Sequence, residues 1–223
     1  LVVVLSAGRS GTNLVLEVLS GSKLLSPSSY PEDKMVCKSG KVYPYNYLTK
    51  TDTIYIDNFG QFADFMKKNW HCKVIFTVRH PFDWSLSKIY RGFGHADDAT
   101  MEGCIKDLYW ASYLFKEATC TFPDRIMPVK MEDVIRDVKK TTEQMCMFLN
   151  LPFDNDMLKP HTRMRHEKYK EEYGDKIHDN IDLYKKWDTI YDCFFTKVDF
   201  DLKKLFKKVE PLTKTFCYEV DCQ

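Results

Sequence analysis

The chain has no surplus of charge of either sign. Its 33 Lys and Arg stand against 32 Asp and Glu, a formal net charge of +1 over 223 residues. Broad attraction to nucleic acid or to an anionic membrane is thereby excluded, and any anion site must be assembled locally. No apolar run approaches the roughly 18 residues that a membrane helix needs, so no span is expected. The eight cysteines form no CxxC pair and no Cys/His cluster at zinc spacing, so no metal site is expected. Cys104 and Cys146 fall in apolar helical surroundings and read as buried thiols. There is no Asn-x-Ser/Thr sequon. These absences favour a reducing compartment, the cytoplasm. The Golgi lumen is the alternative if an N-terminal anchor was trimmed, because Leu1 opens a strand without a leading Met. Internal repeats are also lacking.

What is present is enough apolar material, 44% of residues, for one α/β domain over 1–223. The chain opens with the β-branched run Leu1–Leu5, a Gly/Ser turn from Ser6 to Asn13, and a helix-period run from Leu14 to Leu19. This strand–turn–helix order presents backbone N–H groups and a helix N-terminus to phosphate oxygens. A nucleotide triphosphatase would place Lys and then Ser/Thr just after the second glycine. Thr12 and Asn13 stand there instead, and the cation of the turn is Arg9. The turn can grip phosphates but lacks the lysine and metal-holding hydroxyl that a γ-phosphate calls for.

Alternating strand and helix patterns follow. Ser22–Lys50 is rich in Ser, Pro, Tyr and Lys without a period, and reads as a binding loop. Thr53–Ile56 is predicted as a strand, Phe59–Asn69 as an amphipathic helix and Lys73–Val78 as a buried strand. Asp83 is predicted to cap a helix through Tyr90, and Gly92–Thr100 to form a loop. Ile105–Ala118 should be a helix and Arg125–Lys130 a strand. Helices are expected at Val138–Leu149 and Leu202–Val209. Strands alternating with helices imply a parallel sheet with crossovers.

The second informative segment is Val74 through Ser87. Arg79 closes a strand, where parallel sheets bind ligands, and Ser87 lies eight residues on, in the following helix. A guanidinium fork and a nearby hydroxyl suit one phosphate. The plain alternative is a structural ion-pair former and a surface serine.

Together, Arg9-Ser10-Gly11-Thr12-Asn13 and the Arg79/Ser87 pair resemble the sulfotransferases that use 3′-phosphoadenosine 5′-phosphosulfate. Val129–Asp133 and Phe148–Pro152 look like the family's later part. The resemblance implies a parallel sheet flanked by helices, in a sulfotransferase architecture like that of P-loop nucleotide triphosphatases. It implies transfer of a sulfuryl group to a hydroxyl or amine of a carbohydrate or small-molecule acceptor, with no metal. The 5′-phosphate would rest on the amides of Ser10, Gly11, Thr12 and Asn13 and on the Thr12 hydroxyl. Arg9 would stabilise the leaving oxygen, and Arg79 with Ser87 would hold the 3′-phosphate. Family members often carry Lys at the position of Arg9.

The resemblance leaves the general base open. Glu32 is the first candidate and Asp57 the second, with Asp33 and His95 behind them. A solvated loop carboxylate is the plain reading of Glu32, and a helix cap that of Asp57. The charged stretch 159–187 is expected to cover the donor through residues such as Arg163 and Lys186, with Arg165 and Lys185 as alternatives. Tyr30, Tyr43, Tyr45 and Tyr47 in the 22–50 segment are expected to shape the acceptor pocket. Two rivals stay open: a kinase on the same type of sheet, and a non-catalytic binder of adenosine bisphosphate. Oligomeric state is not legible.

Overall fold

The computed structural model describes residues 1–28, 33–92, 98–159 and 202–218. Among them a five-stranded sheet has the order β2-β3-β1-β4-β5, with every neighbouring pair parallel. The strands are β1 (Val2–Ser6), β2 (Ser26–Pro27), β3 (Tyr47–Asp52), β4 (Lys73–Val78) and β5 (Ile126–Lys130). The helices are α1 (Thr12–Leu19), α2 (Phe59–Lys68), α3 (Pro81–Gly92), α4 (Asp98–Thr121), α5 (Met131–Arg136), α6 (Val138–Leu149) and α7 (Leu202–Thr215). The expected α/β architecture is borne out.

All five residues of β1 are buried, as a strand covered on both faces requires. Successive side chains point to opposite faces. Val3 and Leu5 join one core with Phe62, Phe76, Trp84, Phe115 and Phe216, supplied by α2, β4, α3, α4 and the end of α7. Val2 and Val4 join another with Leu16, Leu19, Ile75 and Met145, beneath α1 and α6. The register aligns Ser6 with Asp52 on one side and Leu5 with Phe76 on the other. The carboxyl ends of β1, β3 and β4 therefore open onto one edge.

Several expected boundaries move. The strand foreseen at Thr53–Ile56 lies at Tyr47–Asp52, and Thr53–Tyr55 is a single 3-10 turn. Asp52 causes the stop: its carboxylate accepts the Ile54 N–H at 3.1 Å. Thr49, Lys50, Thr51 and Asp52 look like a polar loop, yet all are buried and pair with Val3–Ser6 of β1. The 22–50 segment thus contains β2 and the start of β3. α3 begins at Pro81, a residue suited to the first helical position, so Asp83 sits within the first turn rather than before it. α4 starts at Asp98, inside the stretch read as a loop, and ends at Thr121. α5 fills the gap before α6, and α7 continues past Pro211 to Thr215. Glu32, His95, Arg163, Arg165, Lys185 and Lys186 lie outside the described residues, as does all of the 159–187 stretch beyond Lys159.

Candidate functional site

The Ser6–Asn13 turn leaves the centre of the sheet edge and runs straight into α1. Two of its residues take left-handed backbone, Arg9 at φ 76° and Gly11 at φ 89°. Alternation of hand along such a turn gathers successive N–H groups toward one side, the geometry of an anion cradle. Both glycines are closely packed, and at Gly11 the left-handed φ also favours glycine. A Cβ on Gly8 would lie 2.8 Å from Asp52 Oδ2, and one on Gly11 would lie 2.8 Å from Met131 Cγ. Arg9 has no such excuse for its φ. A non-glycine residue held there stores about 1 kcal/mol or more, and the surroundings must enforce it.

Enforcement comes from β4 and α3. Ser10 Oγ lies 2.9 Å from Thr77 Oγ1. Arg79 Nη1 donates to the Arg9 carbonyl at 3.1 Å, and Trp84 Nε1 donates to the Gly8 carbonyl at 2.7 Å. Three hydrogen bonds thus join the two segments that the sequence singled out separately. Arg79 and Trp84 are fully buried. The Arg9 side chain, by contrast, is exposed.

Polar atoms without partners collect around this turn. Among the described residues, Ser6 Oγ, Asn13 Oδ1 and Ser87 Oγ are buried and make no hydrogen bond. Ser87 is 1% exposed, on α3, which β4 feeds through Arg79 and His80. A buried hydroxyl left unsatisfied is unfavourable by about 1–3 kcal/mol, so such atoms mark places where a polar ligand fits.

Two carboxylates compete for the edge. Asp52 ends β3 beside the turn, 9% exposed, with Oδ2 facing the Gly8 backbone. Asp57 lies five residues on, exposed, and accepts a hydrogen bond from Lys38 Nζ at 2.7 Å and another from Gln61. The Lys38 ammonium holds the Asp57 carboxyl below the usual carboxylate range. A third carboxylate, Glu132, is buried in the first turn of α5, accepting the His80 N–H at 2.8 Å and a hydrogen bond from the Tyr218 hydroxyl at 2.7 Å. Glu132 therefore fixes the backbone just after Arg79.

The sequence-predicted residues Arg9, Ser10, Gly11, Thr12, Asn13, Arg79 and Ser87 all fall on the turn, α1, the end of β4 or α3. Asp57 lies beyond β3, tied to Lys38. Sequence reasoning missed Asp52, Trp84, Glu132 and Tyr218. Asp52 could have been found only by reading Leu48–Asp52 as a strand. Nothing in the order of residues shows where an indole N–H points.

These features define a parallel α/β protein whose candidate site lies at the carboxyl edge of its sheet, around a turn with the geometry of an anion cradle. The family model for the sulfotransferase family matches residues 56–155, a span that includes Asp57, Arg79, Ser87 and Glu132 but not the turn. The fold is that of solved sulfotransferases. The sulfotransferase domain from the curacin biosynthetic pathway aligns with 98% of this chain and 97% of its own, with a TM-score of 0.69 and 16% identity. The sulfotransferase domain of the Synechococcus PCC 7002 olefin synthase aligns with 99% of this chain and 95% of its own, with a TM-score of 0.65 and 17% identity. Mouse sulfotransferase SULT7A1, solved in complex with PAP, aligns with 75% of this chain and 65% of its own, with a TM-score of 0.56 and 18% identity. No curated protein matches the sequence. The resemblance to sulfotransferases is borne out, in the family match over 56–155 and in the fold of the described residues. Among the described residues, no helix is long and apolar enough to cross a membrane.

Proposed function

We propose that this chain transfers a sulfuryl group from 3′-phosphoadenosine 5′-phosphosulfate to a hydroxyl or amine of a carbohydrate or small-molecule acceptor. One observation carries the reading. The anion-gathering turn and the Arg79/Ser87 segment are hydrogen-bonded into a single unit, so one nucleotide with phosphates at two positions can be held by both. The mouse neighbour, solved with PAP, supports this choice of ligand.

Each group has a part. The N–H groups of Ser10 to Asn13 receive the 5′-phosphate, with the Thr12 hydroxyl at the helix start. Ser87 Oγ and the Arg79 guanidinium receive the 3′-phosphate. The exposed Arg9 guanidinium meets the bridging oxygen as it gains charge. Among the described carboxylates we assign the acceptor's proton to Asp52, which stands buried beside the turn; Glu32, outside the described residues, and Asp57, paired with Lys38, are the other candidates. The bond from sulfur to the bridging oxygen breaks, the bond from sulfur to the acceptor oxygen or nitrogen forms, and adenosine 3′,5′-bisphosphate leaves. The 22–50 segment borders the acceptor, and Arg163 and Lys186 belong to the stretch that covers the donor.

Thermal-shift titration tests the donor. A ligand that binds only the folded form raises the melting temperature. We expect a clear rise with adenosine 3′,5′-bisphosphate, little with ATP, and loss of the rise in Arg79→Ala. A rise with magnesium and ATP alone would replace this reading with a kinase.

A further inference from the structure

The Gly8–Arg9 peptide is held by an indole. We propose that Trp84 is a positioning residue of the phosphate-binding turn: its N–H holds the Gly8 carbonyl outward, which keeps the Arg9 N–H facing the cradle. The inference rests on the reading of that turn as the 5′-phosphate site.

The argument starts from peptide geometry. In a planar trans peptide, the carbonyl of one residue and the N–H of the next point in opposite directions. The Gly8 carbonyl is bound to Trp84 Nε1 at 2.7 Å, so the Arg9 N–H faces away from α3. The Arg9 carbonyl is bound to Arg79 Nη1 in the same manner, so the Ser10 N–H is also turned away from its clamp. Two consecutive carbonyls are kept out of the cradle, where either would repel an anion.

Without the indole, the Gly8–Arg9 peptide has reason to turn over. Turning a peptide plane shifts the φ of the following residue by half a revolution. The Arg9 φ of 76° would become roughly −100°, an ordinary value for an L-residue. The native orientation is thus the strained one for Arg9, and a buried donor opposes the relaxation. That donor is fixed in place. Trp84 is fully buried, with its ring 5.8 Å from that of Phe216, which in turn lies 5.6 Å from Phe115. The indole nitrogen therefore cannot follow a carbonyl that swings away.

The test removes the N–H and keeps the packing. Trp84→Phe is one variant. Replacement of Trp84 by benzothienylalanine, which has sulfur where the N–H was, is the second, and it preserves the shape if the Phe variant fails to fold. Calorimetric titration of wild type and variants uses adenosine 3′,5′-bisphosphate, inorganic pyrophosphate and adenosine 3′-monophosphate. The expected result is about a tenfold loss for the first two, the effect of one hydrogen bond, and a change of less than about twofold for the 3′-monophosphate. Unchanged affinity for the bisphosphate and pyrophosphate overturns the proposal. So does an equal loss for all three ligands, which marks a general structural role. If wild type binds pyrophosphate but not the bisphosphate, the donor reading falls, and Trp84 is judged on pyrophosphate alone. If wild type binds neither, both fall.

Discussion

Asp52 and Asp57 differ by five positions and by almost everything else that matters to a base. Asp52 is buried at a strand end, facing the backbone of the anion turn. Asp57 is exposed and ion-paired to Lys38 at 2.7 Å, which holds its proton affinity down. A group kept ionised by a neighbouring ammonium is a poor acceptor for a proton. Asp52→Asn should therefore lower kcat about a hundredfold or more, with bisphosphate affinity within a few-fold of wild type. Asp57→Asn should keep most of the activity. Steady-state kinetics on both variants decides it, and the reverse order of effects would return the role to Asp57. The places of Arg79 after a strand and of Ser87 in the following helix could be read from sequence, because the apolar residues of Val74–Val78 and the Pro81 start mark both elements. Asp52 could not, because its strand is written in Thr, Lys and Asp.

At the scale of elements, β3 shows why polarity misleads in the centre of a sheet. Its polar half pairs with β1, and the Lys50 carbonyl accepts the Asp33 N–H at 2.9 Å from the chain on its other side, so even Lys50 is 9% exposed. β4 and α2 were legible to within a residue, because Val74–Val78 is apolar but for Thr77 and rich in β-branched residues, and Phe62, Phe65 and Met66 share one helix face. The joint between them depends on Arg125, whose side chain donates to the carbonyls of Met66 at 2.9 Å, Asn69 at 2.8 Å and Cys72 at 2.9 Å. These are the orphan acceptors at the end of a helix and in the turn beyond it. Hydrogen bonds to a charged group contribute about 1.5–3 kcal/mol, and the carbonyls left behind would be partly buried. Arg125→Met should destabilise the protein by roughly 2–3 kcal/mol, read from the urea midpoint, with bisphosphate affinity unchanged in the folded protein.

Across the whole molecule, residues distant in sequence close one ring of contacts. Tyr218 reaches Glu132 with its hydroxyl, Glu132 holds the His80 N–H, and the Lys130 ammonium stands 4.6 Å from the centre of the Tyr218 ring and donates to the Cys217 carbonyl at 2.7 Å. The end of α7 is thus part of the support of the site rather than an appendage. None of this was readable in the tail Phe216-Cys217-Tyr218 beyond its apolar character, because pairing over such separations is set by topology. Tyr218→Phe removes one hydroxyl from a buried carboxylate, which should lower stability by about 1–2 kcal/mol. Scanning calorimetry should record a fall of about 3–6 °C in melting temperature.

The place of β1 has a consequence during synthesis. It lies between β3 and β4, and both follow it in the chain. The ribosome therefore releases Val2–Ser6 well before the two segments that will flank it. Until they emerge, a run of aliphatic backbone waits with both edges open, which invites association with other nascent chains and makes a holding chaperone useful.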